Sequence, residues 1–170
     1  MDAYTGIGSR STPAEILNAM TNIATALEAS GLVLRSGGAE GADAAFEAGV
    51  SDPTMKEIYL PWPNFNRNPS MFTAPSAAAF ELASKTHPAW DRCTPGARKL
   101  HARNMHQVLG QDLKTPSLFL VCWTPGGELK GGTAQAIRLA LAHNIHIFNI
   151  ANPQELVLLH AWYTEKQACQ

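Results

Sequence analysis

Apolar runs of strand length alternating with helical stretches predict an α/β fold, a doubly wound and mainly parallel sheet flanked by helices. Three observations carry this expectation. Ser117-Leu118-Phe119-Leu120-Val121-Cys122-Trp123 is almost continuously apolar, as a strand buried on both faces of a parallel sheet must be. Strand-like and helix-like segments take turns along the whole chain. Small-residue clusters follow three of the strand-like runs, where an open parallel sheet keeps its ligand crevice. The expected architecture is a single Rossmann-like domain over residues 1–170.

The elements follow in order. Ala3-Tyr4-Thr5-Gly6-Ile7-Gly8-Ser9-Arg10 reads as a first strand running into a turn. Pro13 is placed to start a helix that continues to Ser30 and closes at Gly31. Leu32 to Ser36 is a second strand, followed by Gly37-Gly38-Ala39-Glu40-Gly41-Ala42-Asp43 and a helix from about Ala42 to Gly49. Lys56 to Leu60 is a third strand, ended by Pro61-Trp62-Pro63. The Pro- and Asn-rich stretch from Pro61 to Pro75 reads equally as a variable surface loop or as a long ordered loop forming a pocket wall. Gly96 to Leu109 and Ala134 to His143 are helical in spacing, Ile145 to Ile150 is a last strand, and Pro153 starts a helix reaching about Lys166. The crossovers must then be right-handed.

The segment from Thr124 to Thr133 lies between the Ser117–Trp123 strand and the Ala134–His143 helix. Gly126, Gly127, Gly131 and Gly132 permit positive φ and close approach of a ligand to the main chain, while a helix start offers unpaired N–H groups and the positive end of its dipole. Thr133 adds a hydroxyl, and the loop is a candidate phosphate cradle. Gly6, Gly8, Ser9 and Arg10 after the first strand, and Ser36, Gly37, Gly38 and Asp43 after the second, occupy equivalent places. All three loops are expected to line one pocket, with the first two on the base and sugar side of a nucleotide.

Composition narrows the function. The 170 residues carry 13 basic and 14 acidic side chains, a balance that disfavours a nucleic-acid track without excluding it. Three cysteines, Cys93, Cys122 and Cys169, show no paired spacing, so a reducing cytoplasmic setting without disulfide or zinc is expected. No apolar run approaches the ~20 residues that span a bilayer, and no membrane association is expected. A chain of this length buries roughly 70% of its unfolded surface and needs no metal to fold.

Arg92, Arg98, Lys99 and Arg103 form a local basic cluster. Helical periodicity sets Lys99, Arg103 and Gln107 along one side, a polar stripe expected to face something wet, with Leu100, Met105 and Leu109 as packing residues. Arg103, beside Asn104, is the candidate clamp for a phosphate or ribose hydroxyl. Trp123 borders the glycine loop as a candidate base-stacking ring, ahead of Trp62, Phe65 and Phe72; Trp90 and Trp162 read as structural. The six histidines form no recognisable ligand set, and neither a metal nor another cofactor is assigned.

These segments resemble the SLOG superfamily, which groups the lysine-decarboxylase-like LOG phosphoribohydrolases with DprA and with nucleotide-sensing domains of bacterial defence. Tyr4 to Arg10 resembles the family's first glycine turn, and Arg35 to Asp43 its second-strand motif, especially as DprA proteins carry it. Leu100-His101-Ala102-Arg103-Asn104 resembles the LOG helix motif whose arginine takes part in catalysis, and Pro125 to Thr133 resembles the phosphate loop with an insertion. The resemblance covers nearly the whole chain and implies a bacterial or bacteriophage protein, in the latter case in the host cytoplasm, that binds a nucleotide-type ligand as a homo-oligomer.

The departures matter as much. LOG hydrolases place a glutamate three residues after the loop threonine, and that position is Ala136 here, next to Gln135. Asn104 also stands where the motif has lysine. A carboxylate from Glu128, or from Asp43 or Glu47, would have to replace the missing acid. Three functions therefore compete: a nucleotide N-glycosidase using Arg103 and Glu128, a module that holds a nucleotide, ADP-ribose-like or cyclic nucleotide signal intact for sensing or sequestration, and a DprA-like single-stranded DNA binder. The binding module fits the missing glutamate.

Overall fold

The computed structural model describes residues 1–129 and 131–168, the side chain of Gln167 excepted. Five strands form one wholly parallel sheet, β1 (Ala3–Gly6), β2 (Val33–Ser36), β3 (Lys56–Ile58), β4 (Phe119–Cys122) and β5 (His146–Asn149), in the order β3-β2-β1-β4-β5. The helices are α1 (Ala14–Ala29), α2 (Ala42–Ala48), α3 (Ala77–Thr86), α4 (Pro95–Leu109), α5 (Gly131–Ala142) and α6 (Pro153–Ala168). This is the expected Rossmann-like α/β architecture. The order reverses beside β1, so the loops after β1, β2 and β4 meet at one edge of the sheet.

Successive side chains of a strand point to opposite faces, and β4 shows what that demands when both faces are covered. Phe119 and Val121 enter a core with Tyr4, Met20, Leu27, Leu34, Phe46 and Leu159, while Leu120 and Cys122 enter another with Ile7, Met105, Leu109, Ile137 and Leu139. α1, α2 and α6 therefore close one face, and α3, α4 and α5 close the other. Burial pushes the Cys122 thiol up to about 12, so this cysteine is an inert core residue.

Several boundaries differ from the sequence expectation for physical reasons. β3 ends at Ile58 because Leu60 turns its N–H away from the sheet to Phe72 O (2.7 Å). The Pro61–Pro75 stretch is a pocket wall as well as a loop, since Asn66, Arg67 and Asn68 line a cavity. α3 was not foreseen; Ser76 caps it, its Oγ accepting the Ala79 N–H (3.2 Å), and Ala79 and Ala83 pack it into the second core. α5 begins at Gly131, so Gly131, Gly132 and Thr133 form its first turn rather than the preceding loop.

Phe46 is fully buried where α2 meets β1 and β2. Phe46→Ala is expected to cost about 3–5 kcal/mol, measured by urea unfolding of the variant against the parent.

Candidate functional site

The site is organised by α4, whose buried face is polar. Arg103, Asn104, His106 and Gln107 are all buried, Gln107 completely, so of the stripe expected to face water Lys99 does so while Arg103 and Gln107 turn inward. The reason lies in the strands opposite. Thr5, Arg35 and Glu57 are register neighbours across β1, β2 and β3. Thr5 Oγ1 bonds to Gln107 O (2.7 Å), and Arg35 bonds to Glu57 Oε2 (2.8 Å) and Thr115 O (2.6 Å). The basic cluster is also divided, because Arg98 lies over the Trp90 ring, 5.4 Å from its centroid, while Arg103 turns inward.

Arg103 Nη1 donates to Asp43 Oδ2 (3.1 Å) and to Gln107 Oε1 (2.9 Å). A Cβ built on Gly37 would lie 1.3 Å from that same nitrogen, so only glycine leaves room for the guanidinium against the loop after β2. Burial pushes the Asp43 carboxyl above its ordinary value, opposed by the Arg103 guanidinium and by the Ala39 and Gly37 amides. Arg103 Nε is buried without a hydrogen-bond partner. The next residue along reaches the other loop: Asn104 Nδ2 donates to Gly132 O (3.3 Å). Consecutive residues of α4 thus join the loop after β2 to the start of α5.

The remaining sequence candidates sort themselves by what their groups touch. Ser36 is spent on the sheet, its hydroxyl donating to Gly6 O (2.8 Å), and neither Ser36 nor Gly6 offers a group to a ligand. Gly6 exists for packing, since a Cβ there would meet Phe46 Cγ at 2.7 Å. Gly8 likewise makes room for Ala42, at 2.6 Å from a built Cβ. Ser9 O receives the Thr12 hydroxyl (2.7 Å), its Oγ bonds to Ser11 Oγ (2.8 Å), and Arg10 is exposed. Gly38 O accepts Asn66 Nδ2 (3.0 Å). The Trp123 ring is half-buried and packs against the first core, whereas Trp62 pairs edge-on with Phe65 and remains 37% exposed.

The glycine loop is open. Gly126, Gly127 and Gly131 all have positive φ, and a Cβ built on Gly127, Gly131 or Gly132 meets nothing within 4 Å. Lys130 lies outside the described residues. Thr133 is half-buried in the first turn of α5, and Glu128 is exposed in the loop. The 520 Å³ cavity beside Gly38 and Ala39 is walled by Glu40, Glu47, Asn66 and Arg67 among others, so the loop after β2 shares it with the Pro61–Pro75 stretch.

The replacement carboxylates are engaged. Glu47 accepts Asn68 Nδ2 (2.8 Å), and Asp43 holds Arg103. Ala136 is completely buried in the second core, and Gln135 Nε2 donates to Ala83 O (3.2 Å) and Thr86 Oγ1 (3.3 Å), tying α5 to α3. Sequence spacing also concealed one cluster: His87, Cys93 and His101 bring potential ligand atoms within 4.8 Å of one another. Their sequence spacing matches no ligand motif, and only the packing of the α3–α4 connection against α4 unites them.

Comparison of the chain with family models, curated proteins and solved structures gives no match.

The burial of Arg103 changes what its removal should do. Arg103→Ala leaves the Asp43 carboxyl buried without its partner and is expected to cost about 3–5 kcal/mol. Arg103→Met combined with Asp43→Leu should recover most of that loss in urea unfolding. Equal losses in the single and double variants would show that the charge pair is not the source of the effect.

Proposed function

We propose that this chain binds a nucleotide-type ligand at the carboxyl edge of its sheet and holds it intact, for sensing or sequestration. The observation that carries this reading is the open glycine loop leading into α5: three positive-φ glycines, and empty space around Gly127, Gly131 and Gly132, let a ligand approach the main chain at the positive end of a 12-residue helix. A phosphate seated there meets Gly131, Gly132 and Thr133. Asn104, bonded to Gly132 O, holds that turn against α4, and the unpartnered Arg103 Nε adds a buried cationic group on the same helix.

Retention rather than hydrolysis follows from what lies behind the loop. The position of the LOG glutamate is occupied by an alanine packed in the core, and Asp43 is consumed by Arg103. Loss of a base through an oxocarbenium-like sugar needs a carboxylate positioned at the reacting centre. Glu128, exposed in the loop, carries the hydrolytic reading, so an N-glycosidase is the competing outcome of the test below. Membership of the SLOG superfamily, a homo-oligomeric state and a cytoplasmic setting belong to the same proposal, through the motif resemblance. Among the described residues no helix is long and apolar enough to cross a membrane.

The test combines native mass spectrometry with chromatography, using nucleoside monophosphates, ADP-ribose and cyclic nucleotides. An intact ligand retained without free base supports the proposal; catalytic release of base would replace it with the glycosidase, and Glu128→Gln would then report on the acid. Gly132→Asp supplies the site control, because its Cβ enters open space and a carboxylate in the first turn of α5 suits the helix dipole. The variant should keep its stability or gain about 0.3–1 kcal/mol while losing ligand retention. Undiminished retention would remove the phosphate from this loop.

A further inference from the structure

We propose that His87, Cys93 and His101 form a binding site for a divalent transition metal, with zinc the best match to one thiolate and two imidazoles. The residues come from three places: the end of α3, the connection after the 3-10 turn Trp90–Arg92, and the first half of α4. Each backbone is fixed locally. The His87 N–H donates to Ala83 O (2.9 Å) and the Cys93 N–H to Trp90 O (3.0 Å), and His101 lies within the helix. The site is built before a metal arrives.

The spacing is that of a ligand set. Cys93 Sγ lies 3.8 Å from His87 Nδ1 and 3.9 Å from Nε2, and the two imidazole rings are 4.3 Å apart between centroids. Bonds of roughly 2.3 Å to sulfur and 2.0 Å to nitrogen at a tetrahedral angle set sulfur and nitrogen about 3.5 Å apart. The Cys93–His87 separation is within a few tenths of an ångström of that value, and the ligand atoms of all three residues lie within 4.8 Å of one another. All three side chains are partly buried, and His101 Nδ1 is a buried nitrogen with no hydrogen-bond partner.

The protons balance simply. Both rings bind as neutral imidazoles. The Cys93 thiol releases its proton to solvent on coordination. One existing bond must break. The Ala89 N–H donates to His87 Nδ1 (3.1 Å), and a metal at either ring nitrogen ends that bond, by using the Nδ1 lone pair or by leaving the ring proton on Nδ1. Three protein ligands leave a fourth position for water or an exogenous donor. His87 also lines a cavity of 590 Å³ with Trp90, Asp91 and Arg92, which gives that position a route to solvent.

Titration of the purified full chain with Co²⁺ tests the site, because a thiolate bound to cobalt gives a near-ultraviolet charge-transfer band that imidazole alone does not. The expected result is a band saturating at one equivalent, displaced by Zn²⁺, unchanged in Cys169→Ser and absent in Cys93→Ser. His101→Ala should weaken binding by at least about tenfold. In the parent chain, zinc should also shift the Ala89 amide resonance, a readout independent of whether any variant folds. No charge-transfer band in the parent, or a band that persists in Cys93→Ser, would overturn the proposal.

Discussion

The buried ion pair between Arg103 and Asp43 is the interaction on which the site depends. It joins α4 to α2 beneath the loop after β2, at a place where both side chains are almost completely withdrawn from water. Such a pair gains little net stability over apolar packing, yet breaking it is costly because one charge is left stranded. Its effect is therefore positional: α4 has one rotation about its axis in which Arg103 meets Asp43, and that rotation also brings Asn104 to Gly132 and Gln107 to Thr5.

The same constraint accounts for the unusual interface between α4 and the sheet. Thr5, Arg35 and Glu57 make a polar row across three strands, and Tyr59 Oη donates to Glu57 (2.7 Å), with both burial and that carboxylate raising the tyrosine pKa. A buried polar row requires polar partners, which α4 supplies. The match is incomplete at Arg103 Nε and Gln107 Nε2, two donors left without acceptors in the interior next to the site. Beside this polar row, α4 also meets the second apolar core through Met105 and Leu109.

Five strands and the glycine turns between strands and helices were legible in the sequence, because a buried parallel strand such as Phe119–Cys122 leaves a continuous apolar run and turns leave glycine and proline. The face of α4 was not legible. Amphipathic reasoning equates polar with exposed, and here Gln107 is buried because of what Arg35 and Thr5 do on strands far away in sequence. α3 has strong helix formers behind the Ser76 cap, but the proline-rich stretch before it masked its start. Arg103 and Asp43 were both visible as candidates, but their ion pair depends on α2 and α4, from opposite faces of the sheet, meeting at its carboxyl edge. Ala136 was visible as a departure, whereas its burial in the second core could come only from the rotation of α5.

Gly37 and Arg103 occupy what is physically a single volume, since the Cβ that any other residue would carry at position 37 lies 1.3 Å from the guanidinium. In descent, a side chain at position 37 must therefore displace the guanidinium from Asp43 or follow its loss. A chain can lose the arginine first and then fill the vacated space, but it cannot acquire a side chain at position 37 while the arginine remains in place. Relatives that preserve this arrangement should show the two positions covarying across 66 residues of sequence, the interval from Gly37 to Arg103.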